Sequence, residues 1–431
     1  MNHAVEGSVM RETIWLLPGL RTPFARAGSS LAPYDAIELS VPVVQAMIRQ
    51  LSGGKPDFAV WGTVLPNLTW SNIAREVLLD AKVDPTIPAF STVMACSTSM
   101  IGALEAASML DGAHRSLALV GGTESLSHVQ IGLSPSLSDW LRGFLLAKGV
   151  DKKFECVGAL AQTKIGLFIP SIANRSTGKS MGEHMEMTVR AMGTIPREAQ
   201  DAWSLASHRH AVAAWERGFF DDLVIPLGGL TRDTIPRPDT SLEKLARLAP
   251  AFDRRDGTIT AGNSSPLTDG AAGVWVASDA GLARLPSDLP RAKLIDWEIA
   301  SIDLWNEGLL MAPAYAIPRM LARAGLHYSD IALWEIHEAF AAQVLAHIAL
   351  LEDRAFLRER VGIDRDFGPF PRDRVNPDGG SIALGHPFGA TGARIMSQAV
   401  KELAQLPSGS RAIVSICADG GQGSVALLES V

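Results

Sequence analysis

The segment that most constrains the fold is STSMIGALEAASMLDG, residues 97–112, directly after Cys96. Small residues fall on every side of it instead of leaving one polar face. A helix of that composition must pack closely on both faces, and Gly112 is its expected end. Ahead of it, Ala89–Ala95 reads as a strand running straight into Cys96. Behind it, Ser116–Val120 reads as a short buried strand closed by Gly121-Gly122. Further upstream, Ile37, Val41, Val44, Ile48 and Leu51 recur at helical steps, with Pro42 near the first turns, and Phe58–Val64 reads as a strand. Strands alternating with helices argue an α/β protein with buried sheet.

At 431 residues the chain is too long for one ordinary core. Its character changes between about Leu126 and Gly262, where polar segments, prolines and a solvent-facing helix at 197–217 suggest an excursion inserted into a regular scaffold. The buried pattern returns in DGAAGVWVAS from Asp269, followed by a helix at Pro313–Gly325, the segment 331–351 and a glycine-rich finish. The expected division is 1–125 and 266–284 for a first half, 126–265 for the insertion and 285–431 for a second half.

Lys and Arg number 39 against 46 Asp and Glu, a net charge of −7, so no basic field exists to hold nucleic acid. The apolar stretch Pro85–Leu104 is broken by two prolines and many hydroxyls, and cannot cross a membrane. The first residues lack a signal-peptide core. The three cysteines, Cys96, Cys156 and Cys417, form neither a disulfide framework nor a zinc motif. A soluble protein of the reducing cytoplasm is expected.

Cys96, at a strand–helix junction, would have its thiolate favoured by the helix N-terminus, where N–H groups can also hold an oxyanion. Its bland alternative is a small buried residue in a tight junction. His386 lies in GGSIALGHPFGATGAR, where the glycines suggest backbone packed around a fixed imidazole able to take a proton from a thiol. It could also be a turn histidine. Cys417, in IVSICADGGQGSV, is either a second thiol for proton transfer at carbon, with a pKa suited to neutral pH, or a buried strand residue. Cys156 has no such setting. His337 opens HEAFAAQ; HExxH fails because residue 341 is Ala, leaving a donor to a substrate oxygen or a capping residue. His208 and His210 are expected to be solvated. STGKS at 176–180 is not a phosphate loop, because Ala173 stands where glycine is required, and GGQGSV is not a dinucleotide fingerprint.

Together these segments resemble the thiolase family over residues 11 to 429. RTPF (21–24), the Cys96 junction, GGTESLS (121–127), TAGNSSPLTDGAA (260–272), HEAFAAQ (337–343), GGSIALGHPFGATGAR (379–394) and the Cys417 turn occur in the family's order. HEAF in place of the commoner NEAF, with STGKSMGEHME at 176–186, is similar to the β-subunit of the trifunctional fatty-acid oxidation complex. The resemblance implies two similar α/β halves stacked as α-β-α-β-α with an inserted loop domain. It implies reversible cleavage of 3-ketoacyl-CoA by CoA, with Cys96 as nucleophile, His386 as its activator, Cys417 as acid and base, and His337 at the thioester oxygen. Backbone N–H groups of Cys96 and Asp419 would form a second oxyanion site. Ser265 would lie along the pantetheine arm, and Ala339 and Phe340 would line its channel. No metal or resident cofactor is implied, with CoA as substrate. A homodimer or homotetramer is implied, and a trifunctional α-subunit is a further candidate partner.

The chain departs from the family pattern at Asp419, where glycine is common, and at CSTSM, which lacks the usual glycine. A silent acyl-CoA-binding or scaffold protein of the same fold is therefore the main alternative. A ketoacyl synthase is disfavoured by the second cysteine. Leu133, Leu137, Trp140, Leu141, Phe144 and Leu145 form an apolar stripe beside Arg142 and Lys148. It is expected to pack on the chain's own insertion, with weak peripheral membrane contact as the other reading.

Overall fold

The computed structural model of the protein describes residues 12–112, 114–170 and 172–431. The signal-peptide reading of the first 11 residues therefore lies outside the described residues. Strands in chain order are β1 (Trp15–Arg21), β2 (Ala25–Arg26), β3 (Phe58–Gly62), β4 (Ala89–Phe90), β5 (Leu117–Glu124), β6 (Gly132–Leu133) and β7 (Leu167–Phe168). They continue with β8 (Thr268–Ala277), β9 (Ala292–Ser301), β10 (Leu333–Ile336), β11 (Arg411–Ala418) and β12 (Gln422–Ser430).

Side chains alternate across these strands, and the alternation builds the layers. On one face of the first half, Leu17, Ala59, Trp61, Leu119 and Trp275 pack with helices Ala36–Gln50 and Ile73–Asp80. On the opposite face, Leu16, Val60, Val120 and Val274 meet helices Thr98–Met109 and Thr391–Leu403. The same cluster continues into Val414, Ile416, Ala426 and Leu428 of the second half. The outer face of that half, with Trp334, Ile413, Val425 and Leu427, packs on helices Ala312–Ala324 and Ala341–Glu352. The result is helix, sheet, helix, sheet, helix. The halves also join edge to edge: β1 pairs with β9 at Trp15↔Lys293 and Leu16↔Ala292, giving one bonded order β10-β11-β12-β9-β1-β8-β5-β3-β4.

The 98–109 helix is buried on nearly every side, as its small residues require. A Cβ on Gly392 would lie 2.3 Å from the Met100 nitrogen, so the two central helices touch where neither can carry bulk. Its end differs from expectation: Leu110 is already extended, and Gly112 sits in the following turn. The strand ahead of Cys96 is also shorter than expected, ending at Phe90.

Gly121 and Gly122 do not close a strand; β5 runs through them to Glu124. Their lack of Cβ serves packing. At Gly122 a Cβ would sit 2.1 Å from the Gly389 carbonyl oxygen and 3.0 Å from that of Gly62. Backbone cannot step aside as a side chain can, so Gly122→Ala is expected to cost about 3 kcal/mol, read as a lowered Tm. An unchanged Tm would mean that this contact is not close.

Between β5 and β8 the chain carries helices Pro135–Leu146, Val150–Leu160, Met181–Met192 and Arg197–Glu216 and the small pair β6–β7, joined by long loops. The Arg21 guanidinium clasps Asp233 of this stretch at 2.6 and 2.7 Å, so the RTPF segment anchors it to the end of β1. The 197–216 helix is not a solvent-facing element. It buries Asp201, Ser204, Ser207 and His208. His208 is therefore not solvated: its Nδ1 accepts the Arg237 N–H, and burial, then the charge of Arg237, lowers its pKa to about 4. His210, as expected, remains exposed.

Candidate active site

The loop from Ser91 to Ala95 delivers Cys96 one residue ahead of Ser97, the N-cap of the central helix. Ala95 takes φ +44°, a left-handed backbone unusual for a residue with a Cβ, so the chain turns sharply under the thiol. The other central helix begins at Thr391, and the tight turn before it carries His386. His386 Nε2 lies 3.2 Å from Cys96 Sγ, joining residues 290 positions apart.

His337 follows the end of β10, its N–H donating to the Ser415 carbonyl of β11. Its ring stands 4.2 Å, centroid to centroid, from that of His386. The next residue, Glu338, is buried and accepts from Trp203, Ser207, Asn376 and the Ile382 N–H, which fixes the backbone behind His337. Cys417 is the penultimate residue of β11, buried against Met311, Ala339, Phe340 and Ala342.

Charge is scarce here. Burial, then the positive charge of Arg394, lowers the pKa of His386 to about 3. Burial, then His386 and Arg394, holds His337 well below the usual histidine range. Both imidazoles are neutral near pH 7. The Cys96 thiol is pushed up to about 12, first by burial and then by the charge of Asp419, against the lowering effect of the Cys96 and Asp419 N–H groups. Burial thus outweighs the helix N-terminus, and the resting thiolate expected from sequence is not favoured. Cys417 is likewise raised well above the usual thiol range, by burial and then by Cys96, so it rests as a proton donor and not at a pKa matched to neutral pH.

Such a site can move a proton from Cys96 to His386 without solvent, at the moment of attack. Cys96, His337 and His386 also present ligand-capable atoms within 4.8 Å of one another, the only such set among the described residues. His386 Nε2 is already engaged with the thiol, leaving no free lone pair for an ion at that nitrogen.

The backbone N–H groups of Cys96 and Asp419 favour the Cys96 thiolate. The Asp419 carboxylate accepts from the Gly420 N–H and, across to the insertion, from Asn174 at 2.8 Å. Its charge therefore sits beside the nucleophile. Asp419→Asn should move the iodoacetamide alkylation profile of Cys96 to lower pH, with a roughly tenfold gain in rate near neutrality. An unmoved profile, or one moved upward, would contradict that electrostatic coupling.

Ser265 donates its N–H to the Ala339 carbonyl at 2.9 Å, and Ser264 bridges to Phe340. The TAGNSS and HEAF segments are thereby stitched together. Ala339 and Phe340 are both buried, with Phe340 edge-on to Phe252 at 5.8 Å. Cys156 lies apart on helix Val150–Leu160, its carbonyl accepting from Trp140. Sequence reasoning did not single out Ser381, Thr391 or Arg394, although all three lie in the glycine-rich segment around His386.

The family model described as the thiolase N-terminal domain matches residues 14–280, and that for the thiolase C-terminal domain matches 289–430. The chain belongs to the thiolase family. Curated relatives of this thiolase include the 3-ketoacyl-CoA thiolases of Yersinia enterocolitica and Photobacterium profundum. Each is 35% identical over 427 residues, covering 97% of both chains. Among solved structures, a thiolase from Ascaris suum in complex with coenzyme A aligns with TM-score 0.78 and 28% identity, over 97% of this chain and 100% of that one. The Bacillus anthracis acetyl-CoA acetyltransferase aligns with TM-score 0.78 and 29% identity, over 98% and 99%.

Proposed function

We propose that this thiolase family member is a 3-ketoacyl-CoA thiolase that cleaves its substrate with CoA through an acyl-cysteine intermediate. The observation that carries the reading is the 3.2 Å contact between Cys96 Sγ and His386 Nε2, with Cys417 buried in the cluster that holds Ala339 and Phe340. Cys96 attacks the 3-keto carbon as its proton passes to His386. The carbon–carbon bond breaks, leaving the acyl group on sulfur and an acetyl-CoA enolate that takes its proton from Cys417. CoA then gives its proton to Cys417 and attacks the thioester; the bond to Cys96 breaks, and the expelled Cys96 thiolate takes back the proton held by His386. His337 and His386 support the thioester oxygen of the enolate, and the Cys96 and Asp419 N–H groups support the oxygen of the attacked carbonyl. Ser265 lies along the pantetheine arm, and Ala339 and Phe340 border its channel.

Acetoacetyl-CoA and CoA should be consumed together, with loss of the magnesium-enolate absorbance and ping-pong kinetics. No turnover at any chain length would favour the silent, acyl-CoA-binding reading. Catalysis uses no metal, so dialysis against a chelator should leave the rate unchanged.

The insertion supports a partner reading as well. No residue of helices Pro135–Leu146 and Val150–Leu160 is fully buried, but Leu137, Trp140, Leu141 and Phe144 of the apolar stripe are half-buried, with Trp140 bonded to the Cys156 carbonyl of the second helix, so the stripe packs in part on the insertion itself as expected. Leu145, Leu146, Phe154 and Phe168 stand exposed. A homodimer or homotetramer, a trifunctional α-subunit or a lipid surface would cover them, and light scattering with liposome co-sedimentation separates these. Among the described residues, no helix is long and apolar enough to cross a membrane. The same reading places the protein in the cytoplasm.

A further inference from the structure

Two neutral imidazoles face the same reacting centre, and a neutral imidazole carries its proton on one nitrogen only. Which nitrogen decides whether each ring can accept or donate there. The hydrogen bonds at the far side of each ring answer the question.

Behind His386, Nδ1 lies 2.7 Å from Thr391 Oγ1. The single Thr391 hydroxyl proton has another destination, the Pro387 carbonyl at 3.0 Å, four residues back. Oγ1 therefore acts as acceptor toward the ring, and Nδ1 carries the proton. The front nitrogen, Nε2, is left with a lone pair facing the Cys96 S–H at 3.2 Å.

Behind His337 the accounting runs the other way. Nδ1 lies 2.8 Å from Ser381 Oγ. Ser381 Oγ already accepts from Arg394 Nη2 at 2.7 Å, and a guanidinium can only donate. The hydroxyl proton then has His337 Nδ1 as its acceptor, with no other acceptor for it among the described residues. The His337 proton is thus placed on Nε2. That atom is buried and has no partner among the described residues, and its ring belongs to the cluster formed with Cys96 and His386. A buried N–H donor left open costs free energy unless something arrives to accept it.

We infer that Thr391 and Ser381 are positioning residues that lock the two rings in opposite tautomers, His386 as acceptor and His337 as donor, with Arg394 setting the Ser381 half of the lock. The roles attached to the rings rest on the thiolase reading above. The tautomers themselves belong to the resting protein. Arg394 acts twice: it occupies the Ser381 lone pair, and its charge helps to keep both rings neutral.

The test is nitrogen-15 NMR of histidine-labelled protein without substrate, with signals assigned by difference against His337→Asn and His386→Asn. The expected result is Nε2–H at His337 and Nδ1–H at His386. The same tautomer at both rings, or the reverse pair, would overturn the inference whether or not the Thr391 and Ser381 variants fold. Thr391→Val should release the His386 tautomer and slow Cys96 alkylation roughly tenfold, and Thr391→Ser should restore both. Ser381→Ala should release the His337 tautomer and lower kcat by about 10- to 100-fold, with KM and Cys96 alkylation little changed. Tautomers unmoved in both variants would also overturn it. An enzyme with the expected tautomers but no thiolysis would sink the functional reading and leave the lock standing.

Discussion

Cys417→Ala should still be acylated on Cys96 by acetyl-CoA, yet should lose cleavage of 3-ketoacyl-CoA by roughly 10³-fold. The two half-reactions place unequal demands on a proton donor. Expulsion of a CoA thiolate from acetyl-CoA needs little acid, because the thiolate is a good leaving group. Breaking a carbon–carbon bond needs a proton delivered to carbon, in a pocket where water is scarce. Cys417 is placed to deliver it, since it is buried among Met311, Ala339 and Phe340, and its thiol is held protonated by burial and by Cys96. Alanine leaves a gap of one sulfur and keeps β11 paired with β12, so the fold should persist. Stopped-flow acylation beside steady-state thiolysis reads both halves. Equal loss in both, or loss in neither, would contradict the division of labour between the thiols.

His386→Ala should lower Cys96 acylation itself, by about 10³-fold or more. The Cys96 thiol is pushed up to about 12, so near neutrality almost none of it is thiolate. Attack then depends on a base that takes the proton during the step, and His386 Nε2 is the only nitrogen bonded to that sulfur among the described side chains. The same variant should also react more slowly with iodoacetamide, and both reactions should recover together as pH rises toward the thiol pKa. Acylation undiminished in this variant would mean that Cys96 is activated by something other than His386.

Much of this was legible in the sequence because local chemistry was distinctive. Small residues on every face of 97–112 require burial between layers, and the helix is buried so. Cys96, His386, His337 and Cys417 were picked out by their glycine-rich or strand–turn settings, and the fold gathers Cys96, His337 and His386 within one cluster. What stayed hidden was tertiary. Gly121 and Gly122 read as a strand end because glycine usually marks a turn, whereas here it admits the Trp61 ring and the Gly389 carbonyl. The thiolate expected at Cys96 followed from the helix N-terminus alone; burial and the Asp419 carboxylate, neither visible locally, reverse it. Asn174, which holds that carboxylate, lies 245 residues away. His208 appeared polar and solvated, but the inserted stretch folds over it. The tautomer lock needed Ser381 and Arg394 on the far side of His337, a contact that no spacing rule announces.

The central claim is that Cys96 carries the acyl group. Protein incubated with acetyl-CoA, quenched in acid and digested should show one acetyl group per chain, on the peptide containing Cys96, discharged by added CoA. Cys96→Ala should show none and should not turn over. An adduct on Cys417 or Cys156, or full thiolysis with no acyl-Cys96 formed at any time, would contradict it.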